Sequence, residues 1–558
     1  MSSENIPSPR NGAELVVQTL EDQGVKYVFG IPGAKFDAVF NALVDSKIQT
    51  VVCRHEQNAA FIAGGIGRMT GKAGVCIATS GPGVSNLITG LATANAEGDP
   101  VVALGGAVAT GEALKHIHQT MDSVPICKPV TKFSASVGAP QAVAEVVCNA
   151  FRSAESGRPG AAFVSLPRDI MSAPAAARRL IVPAFSRQGP ADGAAIAEAA
   201  RLINAAQTPV VLLGLLASKP ANATAVREMI AGYHLPVVGT FQAAGAVAAH
   251  LLEDFGGRVG QLANQPADRL LEAADLVITV GYDPVEYWPS LWNKDRDRKI
   301  LHVDVLPADL DSHYCPSVEL VGDIAQSLSA LKLLLDRKEQ SPISSRILHA
   351  IREERAQLNQ EAARLGGTPV HPLRIVHELQ KFLEPDVTLC LDMGSFHLWF
   401  ARHLYSFRSR QVLITNGQQT LGVALPWAIA ATLVRPTEKV ISISGDGGFL
   451  FSSMELETAV RLKSNLVHMV LIDGTCNMVA VQEIAKYGRP PGIALGPVDP
   501  VKYAEAFGAV GLMIRTADEI APVMKKALDT PGPVVVGVHV DYRDNHKLFE
   551  MVHDNAFH

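Results

Sequence analysis

The sequence has no long apolar run, no leader-like start and few cysteines. Its longest apolar stretch, residues 421–434, is too short to span a bilayer and is interrupted by Pro426. The first twelve residues are polar and resemble neither a signal peptide nor an arginine-rich transit helix. The seven cysteines show no Cys-x-x-Cys spacing, so we interpret them as small core residues in a reducing compartment. We therefore predict a cytoplasmic protein without a membrane segment.

Basic surface patterns and dinucleotide fingerprints are also missing. The formal net charge is −6 and no basic stripe occurs, which argues against nucleic acids and anionic membranes as partners. No Gly-x-Gly-x-x-Gly motif follows the predicted first strand of a domain, so we expect no nicotinamide cofactor. The chain does contain 48% hydrophobic and 19% charged residues over 558 positions, which is typical of a well-packed globular protein with several domains.

Short apolar runs alternate with amphipathic helical stretches along the chain, and this alternation predicts the α/β class with parallel sheets. A Pro- and Ala-rich stretch at 172–193 and a charged, helical stretch at 336–370 break the pattern. We therefore predict three doubly wound parallel-sheet domains, at 1–180, 190–345 and 365–558. The predicted strands are 27–30, 75–79, 101–104, 161–166, 210–213, 237–239, 276–280, 301–305, 387–391, 440–444, 467–472 and 534–540.

The first and third predicted domains open alike. In each, a helix (13–23 or 372–382) leads into a strand and then into a glycine-containing turn (30–33 or 392–395). The similarity suggests two related sheet domains that flank a different middle one. Any two doubly wound domains can share this much, so the alternative of unrelated domains stays open.

Two aspartates each end a predicted buried strand in the third domain. Asp446 stands in a Gly-Asp-Gly motif after one apolar run, and Asp473 ends the next run. Two carboxylates at the carboxyl ends of parallel strands suit a small divalent cation that holds a diphosphate. We expect Gly447 and Gly448 to let the backbone approach phosphate oxygens, and a helix beginning near Ser452 to point its N-terminus at them. Taken alone, Asp-Gly is also a common turn former.

A glutamate near the interior is predicted in the first domain. Glu56 lies between an apolar run and an Ala- and Gly-rich helix at 59–68. A carboxylate in that position must be paired, solvated or used in chemistry; the alternative is a helix-starting glutamate bound by backbone amides. Two glycine turns, 79–86 and 416–422, either hold a flat ring or simply turn the chain.

Glu56, the Gly-Asp-Gly motif and Asp473, in this order, resemble the motifs of thiamine-diphosphate-dependent enzymes of the acetohydroxyacid synthase and pyruvate decarboxylase type. Within that group the chain most resembles the catabolic, FAD-independent bacterial acetolactate synthases, and the matching stretches include 29–35, 97–100, 416–419 and 444–449. The resemblance implies a transferase that condenses two pyruvate molecules to 2-acetolactate and CO2 through an enamine formed on thiamine diphosphate. The alternative is another thiamine-diphosphate-dependent 2-keto acid decarboxylase or carboligase.

The resemblance also implies roles for individual residues. Glu56 would hydrogen-bond the aminopyrimidine ring and start proton transfer, and Asp446, Asp473 and the Thr475 carbonyl would bind Mg2+. Phosphate oxygens would be contacted by Gly394, Ser395, His397 and Gly448, and the pyrimidine by Gln419 and Leu421. The other expected cofactor contacts are Pro32, Thr79, Asn86, Gly447 and Met478.

Substrate-side residues follow from the same resemblance. Lys35 and Gln119 would bind the pyruvate carboxylate and the developing hydroxyl, although a lysine after a glycine turn is as often a solvated surface residue. Gln482 stands where biosynthetic relatives carry a tryptophan, which favours pyruvate over 2-ketobutyrate as the second substrate. After the second aspartate close relatives read Asn-Gly-Tyr, whereas this chain has Gly474-Thr475-Cys476, and this departure bears on kinetics and second-substrate choice.

The middle domain and the assembly complete these expectations. FAD-containing synthases have an Arg-Phe-Asp-Asp-Arg segment where this chain has residues 281–287, so no flavin is expected. Glu56 belongs to the first domain and the metal site to the third, and in the family the two meet across a subunit interface. We therefore expect a homodimer as the minimal active unit and a tetramer as the assembled form.

Overall fold

The computed structural model describes residues 11–175, 180, 188–336 and 339–549. Half of the predicted linker at 172–193 lies outside the described residues, as does most of the polar start of the chain. Among the described residues, every helix is too short or too polar to cross a bilayer. Three six-stranded sheets follow one another along the chain, and all neighbouring strands in them are parallel. This confirms the predicted α/β class with three parallel sheets.

The first sheet has the strand order β2-β1-β3-β4-β6-β5. Its strands are β1 (Tyr27–Gly30), β2 (Gln49–Val52), β3 (Gly74–Ala78), β4 (Val101–Ala107), β5 (Phe133–Ser136) and β6 (Ala161–Pro167). The helices are α1 (Gly12–Asp22), α2 (Asp37–Leu43), α3 (Glu56–Thr70), α4 (Pro82–Glu97), α5 (Ser123–Cys127), α6 (Val143–Glu155) and α7 (Arg168–Ser172). The interior strands β3 and β6 are buried along their whole length and, apart from Ser165, apolar, as expected where helices cover both faces of a parallel sheet.

The middle sheet has the strand order β12-β11-β10-β7-β8-β9. Its strands are β7 (Pro209–Leu213), β8 (Val237–Thr240), β9 (Phe255–Val259), β10 (Leu276–Val280), β11 (Lys299–Asp304) and β12 (Val318–Val321). The helices are α8 (Gly193–Ala205), α9 (Pro220–Tyr233), α10 (Asp268–Glu272), α11 (Pro289–Trp292), α12 (Ile324–Lys332) and the connecting helix α13 (Pro342–Arg364). The long helix α13 lies within the charged stretch at 336–370 that the sequence marks as the second domain boundary.

The third sheet has the strand order β14-β13-β15-β16-β18-β17. Its strands are β13 (Val387–Leu391), β14 (Val412–Ile414), β15 (Lys439–Gly445), β16 (Leu466–Ile472), β17 (Val510–Ile514) and β18 (Val534–His539). The helices are α14 (Pro372–Gln380), α15 (Ser395–His403), α16 (Ala424–Val434), α17 (Asp446–Ser452), α18 (Leu456–Arg461), α19 (Asn477–Tyr487), α20 (Pro500–Ala506) and α21 (Ile520–Asp529). Numbered within each sheet, the first and third sheets share one strand order and the middle sheet has another, in line with two related domains that flank a different one.

The chain divides into two compact units. One comprises the described residues before position 187 together with 425–436 and 452–464, and the other comprises the remaining described residues. Most of α16 and all of α18 thus pack with the first sheet. Because α3 is rich in small residues, α16 lies close to it: the Arg68 guanidinium stacks on the Trp427 ring at 4.5 Å. Two segments of the predicted third domain, 425–436 and 452–464, therefore belong to the first compact unit.

Candidate active site

The first sheet has its topological switch point between β1 and β3, where ligands of open α/β sheets bind beyond the carboxyl ends of the strands. The loops after these two strands are in contact, since a Cβ added at Gly33 would lie 2.5 Å from the Thr79 Cβ. Gln119 reaches the same edge, because a Cβ at Gly81 would lie 3.2 Å from the Gln119 Cβ. Gly81 has a φ of +65°, which glycine adopts readily. The structure therefore brings Thr79 and Gln119 together.

The predicted ligands at this edge differ in exposure and in hydrogen bonding. Pro32 is exposed, and Lys35 is half-buried. The Thr79 hydroxyl is buried and has no hydrogen-bond partner among the described residues. A buried hydroxyl without a partner is costly, so a polar ligand atom at this edge would stabilise it.

Glu56 begins α3 and is buried, with 8% of its surface exposed. The Asn86 side-chain amide, on α4, donates to Glu56 Oε2 at 2.9 Å. The first turn of α3 is capped by His55, whose Nδ1 accepts from the Gln57 amide at 3.1 Å, and not by Glu56. The alternative of a glutamate that caps its own helix is therefore not the observed arrangement. Glu56 keeps Oε1 for another donor.

Asp446 and Asp473 come together at the carboxyl ends of β15 and β16. Asp446 Oδ2 accepts from the Gly474 amide at 2.7 Å, and the Thr475 hydroxyl donates to Asp473. Burial and the nearby Asp446 carboxylate raise the pKa of Asp473. Two adjacent carboxylates suit a divalent cation, which would relieve their repulsion. Within the described ranges no group of three or more His, Cys, Asp and Glu could hold a metal, so neutral oxygen ligands would have to complete the site.

The prediction of a helix beginning near Ser452 is wrong, because the helix begins six residues earlier, at Asp446. Asp446 is itself the first residue of α17, and Ser452 is the last. The Gly447 amide donates to Asp446 Oδ1 at 2.9 Å, so the aspartate bonds within the first turn of its own helix. The Gly-Asp-Gly motif thus starts a helix directly from the strand, where the sequence suggested a turn followed by a later helix.

Asp392 is a buried aspartate to which the sequence analysis gave no role, and it forms hydrogen bonds to two of the predicted turns. Asp392 follows β13 and accepts from the Met393 amide at 2.8 Å and from the Gly422 amide at 2.9 Å. A Cβ at Gly448 would lie 3.3 Å from the same carboxylate. Burial raises the pKa of Asp392 to about 7. Asp392 therefore links the turn with Gly394 to the turn with Leu421 and to the start of α17.

Ser395 and His397 lie on the first turn of α15 and are both buried. The Ser395 hydroxyl donates to Asn477 Oδ1 at 2.9 Å, a partner that the sequence did not suggest. His397 Nε2 donates to the Thr415 carbonyl at 3.1 Å, while its Nδ1 is buried without a partner among the described residues. Burial lowers the pKa of His397 to about 4, so Nδ1 is an acceptor. The predicted contact of His397 with a phosphate oxygen would need a nearby anion to raise that pKa.

A pocket of about 190 Å³ lies between the third and middle sheets. Three predicted residues line it: Gln419, Met478 and Gln482. The middle domain contributes further lining residues that sequence reasoning missed, namely Gln261, Leu262, Val285, Tyr287 and Trp288. Gln261 has a φ of +60°, and its Nε2 is buried without a partner among the described residues. Strained, unsatisfied groups of this kind concentrate at functional sites.

The switch point of the middle sheet, between β7 and β10, is filled by protein atoms. A Cβ at Gly214 would overlap the Tyr282 Cα, so the two loops are in contact. The buried Glu286 carboxylate accepts from the Leu215 amide at 3.0 Å and from the Thr240 hydroxyl at 2.5 Å. Burial raises the pKa of Glu286 to about 8. Its carbonyl accepts from the Asn416 side-chain amide at 2.6 Å, which connects this crevice to the turn that carries Gln419.

The predicted site residues thus form two groups, each within one compact unit. Pro32, Lys35, Glu56, Thr79, Asn86 and Gln119 belong to the first unit. The second unit holds Gly394, Ser395, His397, Gln419, Leu421, Asp446, Gly447, Gly448, Asp473, Thr475, Met478 and Gln482. In both units the residues gather at the switch point of a sheet or beside it.

Models of the thiamine pyrophosphate enzyme family match three parts of the chain: the N-terminal TPP binding domain at residues 10–126, the central domain at 196–331 and the C-terminal TPP binding domain at 392–538. Over 97% of its length the chain is 52% identical to the catabolic acetolactate synthase of Raoultella terrigena, of which it covers 97%. It is 48% identical over 96% of its length to an acetolactate synthase of Bacillus subtilis strain 168, covering 94% of it. It is 31% identical to the acetolactate synthase isozyme 2 large subunit of Escherichia coli K12, over 96% of both chains.

Proposed function

Since the chain belongs to the thiamine pyrophosphate enzyme family, we propose that it is an acetolactate synthase that condenses two pyruvate molecules to 2-acetolactate with release of CO2. The observation that carries this proposal is the 52% identity, along nearly the whole chain, to a protein named for that activity. The small pocket beside Gln419, Met478 and Gln482 supports it, because its volume of about 190 Å³ suits a keto acid of a few atoms.

Thiamine diphosphate and Mg2+ fit the residues at the two outer switch points. The carboxylates of Asp446 and Asp473 lie close enough to repel each other, so a divalent cation between them would be stabilising, and the Thr475 carbonyl would add a neutral ligand. Gly447 and Gly448 have no side chain to keep a diphosphate away, and Gly394 and Ser395 begin the nine-residue helix α15. When bound, thiamine diphosphate accepts the electron pair that decarboxylation of a 2-keto acid releases.

Glu56 is the proposed proton-transfer group. Its Oε2 is held by Asn86 at 2.9 Å, which leaves Oε1 to exchange a hydrogen bond and a proton with the aminopyrimidine ring. Burial keeps water from competing for that oxygen. The unpartnered Thr79 hydroxyl, at the same edge of the first sheet, is available to the same ring. In this proposal Gln419 and Leu421 hold the pyrimidine edge, with Leu421 beneath it.

We propose that one lysine and several glutamine side chains bind the polar groups of the two pyruvate molecules. Lys35 and Gln119 are the proposed ligands of the pyruvate carboxylate and of the hydroxyl that develops from its carbonyl. Gln482 and Gln261 line the pocket in which the second pyruvate would bind, beside the apolar Met478. An apolar wall helps to exclude water, which would otherwise divert the reaction to acetaldehyde.

We also propose that the protein works without flavin. In open α/β sheets a dinucleotide places its phosphates at the start of the helix that follows the first strand. In the middle domain the Leu215 amide at that point already donates to the Glu286 side chain, so a phosphate would have to displace that side chain to bind there. A purified protein with a flavin absorption spectrum would contradict this proposal.

The active assembly is proposed to be a homodimer at least, and a tetramer in its final form, located in the cytoplasm. The proposal rests on the separation of Glu56 and the acid pair into different domains of one chain, together with the family resemblance. Sedimentation of the holoenzyme measures the assembly, and a monomer with full activity would contradict it.

Product analysis tests the proposed activity. The purified protein is incubated with pyruvate, Mg2+ and thiamine diphosphate, and the products are analysed with and without acid treatment. We expect acetolactate as the product. Acid treatment converts it to acetoin, so acetoin should be detected after acid treatment and not in the untreated control. Acetaldehyde as the sole product would identify a decarboxylase of the same cofactor class. Untouched pyruvate would contradict both and direct the search to other 2-keto acids.

A further inference from the structure

A second glutamate of the first unit, Glu455, is completely buried and binds the chain on both sides of Glu56. It lies between α17 and α18, within the segment 452–464 that packs with the first sheet. Its Oε1 accepts from the main-chain amides of Arg54 at 2.8 Å and His55 at 3.1 Å. The sequence suggested no role for this residue.

The same oxygen holds the first turn of α3. The Asn58 side-chain amide donates to Glu455 Oε1 at 3.2 Å, and Asn58 is itself completely buried. The other oxygen, Oε2, accepts from the Thr458 hydroxyl at 2.6 Å. Oε1 therefore fixes three donors within two residues of Glu56, whereas Oε2 bonds only within its own segment.

Burial and hydrogen bonding act in opposite directions on this carboxylate. Burial raises the pKa of Glu455, and the donors from Thr458, Arg54, Asn58 and His55 lower it again, without restoring the ordinary value. The family models and relatives' names assign nothing to this group. Among the described residues this buried carboxylate forms no ion pair, and such a group is costly to keep, so its retention needs a benefit beyond packing.

We expect that benefit to be the accurate placement of Glu56, because proton transfer depends on it. Proton transfer requires a heavy-atom separation within about 2.6–3.2 Å, and a misplacement of about 1 Å can cost about 100-fold in rate. The main chain at Arg54 and His55 sets where α3 begins, and Glu56 is the first residue of that helix. Because His55 also caps the helix, a shift of this segment would move the cap and the Glu56 carboxylate together.

We propose that Glu455 is a positioning residue for Glu56: by anchoring the amides of Arg54 and His55 and the side chain of Asn58, it holds the Glu56 carboxylate in register for proton transfer. The inference rests on the proposed function, in which Glu56 exchanges a proton with the cofactor. Glu455 itself contacts neither substrate nor cofactor in this proposal. It acts through the main chain that leads into α3.

Glu455→Ala removes the shared acceptor and tests the proposal directly. The first readout is amide hydrogen exchange of the unliganded protein, in peptides that cover residues 54–58, and we expect it to rise. The second is exchange of the cofactor's thiazolium C2 proton for deuterium on the holoenzyme, followed by proton NMR after acid quench. We expect this rate to fall by about 100-fold per folded active site, while the KM for pyruvate changes little.

Two further variants separate positioning from stability. Thr458→Val is the matched control, because it removes a hydrogen bond of the same carboxylate but leaves Oε1 in place; we expect thermal stability to fall and the C2 exchange rate to stay within about twofold. Glu455→Gln should largely restore the exchange rate, since an amide oxygen can replace Oε1 and the amide nitrogen can donate to Thr458. Should Glu455→Ala fail to fold, Glu455→Asp keeps the charge but withdraws the acceptor by one methylene, and slowed exchange is again expected.

The outcomes distinguish this inference from the proposed function. C2 exchange at the wild-type rate in Glu455→Ala or Glu455→Asp, with only a lower melting temperature, would overturn the positioning role. Glu56→Gln is measured beside them. If it slows C2 exchange and the Glu455 variants do not, the proposed function stands and the inference falls. If Glu56→Gln leaves the exchange fast, Glu56 is not the proton-transfer group and both fall.

Discussion

Replacing Glu286 with glutamine would test the buried carboxylate that fills the switch point of the middle sheet. Burial raises the pKa of Glu286 to about 8, from an ordinary value of 4.5. Between these two values the folded protein keeps a proton that the unfolded chain has lost, so the stability of the wild type falls as the pH rises. At about 1.4 kcal/mol per pH unit, the free energy of unfolding should fall by about 2 kcal/mol between about pH 6 and about pH 8 from this group alone.

Glutamine suits this position because the two carboxylate oxygens share the Leu215 amide and otherwise have different partners. Oε1 accepts from the main-chain amides of Leu215 and Asp283, and an amide oxygen can do the same. Oε2 accepts from the Thr240 hydroxyl, which can instead accept from the glutamine amide. Glu286→Gln should therefore fold normally and lose this part of the pH dependence. At about pH 8 it should melt at a higher temperature than the wild type.

The assay is differential scanning calorimetry of the wild type and the variant at about pH 6 and about pH 8. Melting temperatures are compared rather than unfolding free energies, because a chain with several domains does not unfold in two states. Glu272→Gln, at an exposed position of the same domain, is the control and should follow the wild type at both values. If the melting temperatures of Glu286→Gln and the wild type change in parallel with pH, the folded protein does not hold the proton on Glu286 and the reasoning is wrong.

Four further predictions address the active site. Glu56→Gln should bind thiamine diphosphate and lose about 100- to 10,000-fold in kcat, measured by pyruvate consumption; unchanged turnover would refute its proton-transfer role. Asp446→Ala should weaken Mg2+ and thiamine diphosphate binding together, by about 2 kcal/mol or about 30-fold in Kd by calorimetry, and unaltered affinity for both would move the metal site elsewhere. Gln261→Leu should raise the KM for pyruvate about 5- to 30-fold with a smaller change in the Kd of the cofactor; an equal loss of both would mean that Gln261 supports the fold instead. Gln482→Trp should increase the share of the 2-ketobutyrate product in competition with pyruvate, and an unchanged product ratio would show that this position does not select the second substrate.

The strands that could be predicted from the sequence lie inside the sheets, and the strands that were missed lie at the sheet edges. The twelve predicted runs correspond to interior strands, which carry apolar side chains towards helices on both faces. The strands that were missed are β2, β5, β9, β12, β14 and β17, and each lies at the edge of its sheet. β5 is half-exposed with the mixed sequence Phe-Ser-Ala-Ser, and β14 has only three residues. β9 is buried but contains two glycines and Arg258, so it shows no apolar run.

Some residues of the candidate site could be predicted from short sequence segments, whereas others depend on contacts between distant parts of the chain. Glu56 and the Gly-Asp-Gly motif were recognisable because their chemistry is concentrated in short segments. Asp392, Gln261 and Asn477 were not, because their contacts depend on loops that meet only in the folded chain: Asp392 reaches an amide thirty residues away, at Gly422. The start of α17 was misjudged for a related reason, since a glycine-flanked aspartate can end a turn or begin a helix, and packing decides between them.

Each of the three sheets has a switch point, but the residues that surround the crevice at that point differ from sheet to sheet. A switch point leaves a crevice at the carboxyl ends of two parallel strands, and each sheet has one. In the first and third sheets, small residues lie near that crevice together with polar atoms that have no partner within the described part of the chain, such as the Thr79 hydroxyl and His397 Nδ1, and a ligand would give these atoms a partner. In the middle sheet the Glu286 carboxylate already binds the Leu215 amide there. A side chain of the protein thus bonds the amide to which a dinucleotide phosphate would bind, and the proposal that the protein works without flavin therefore depends on Glu286 rather than on the surrounding segment as a whole.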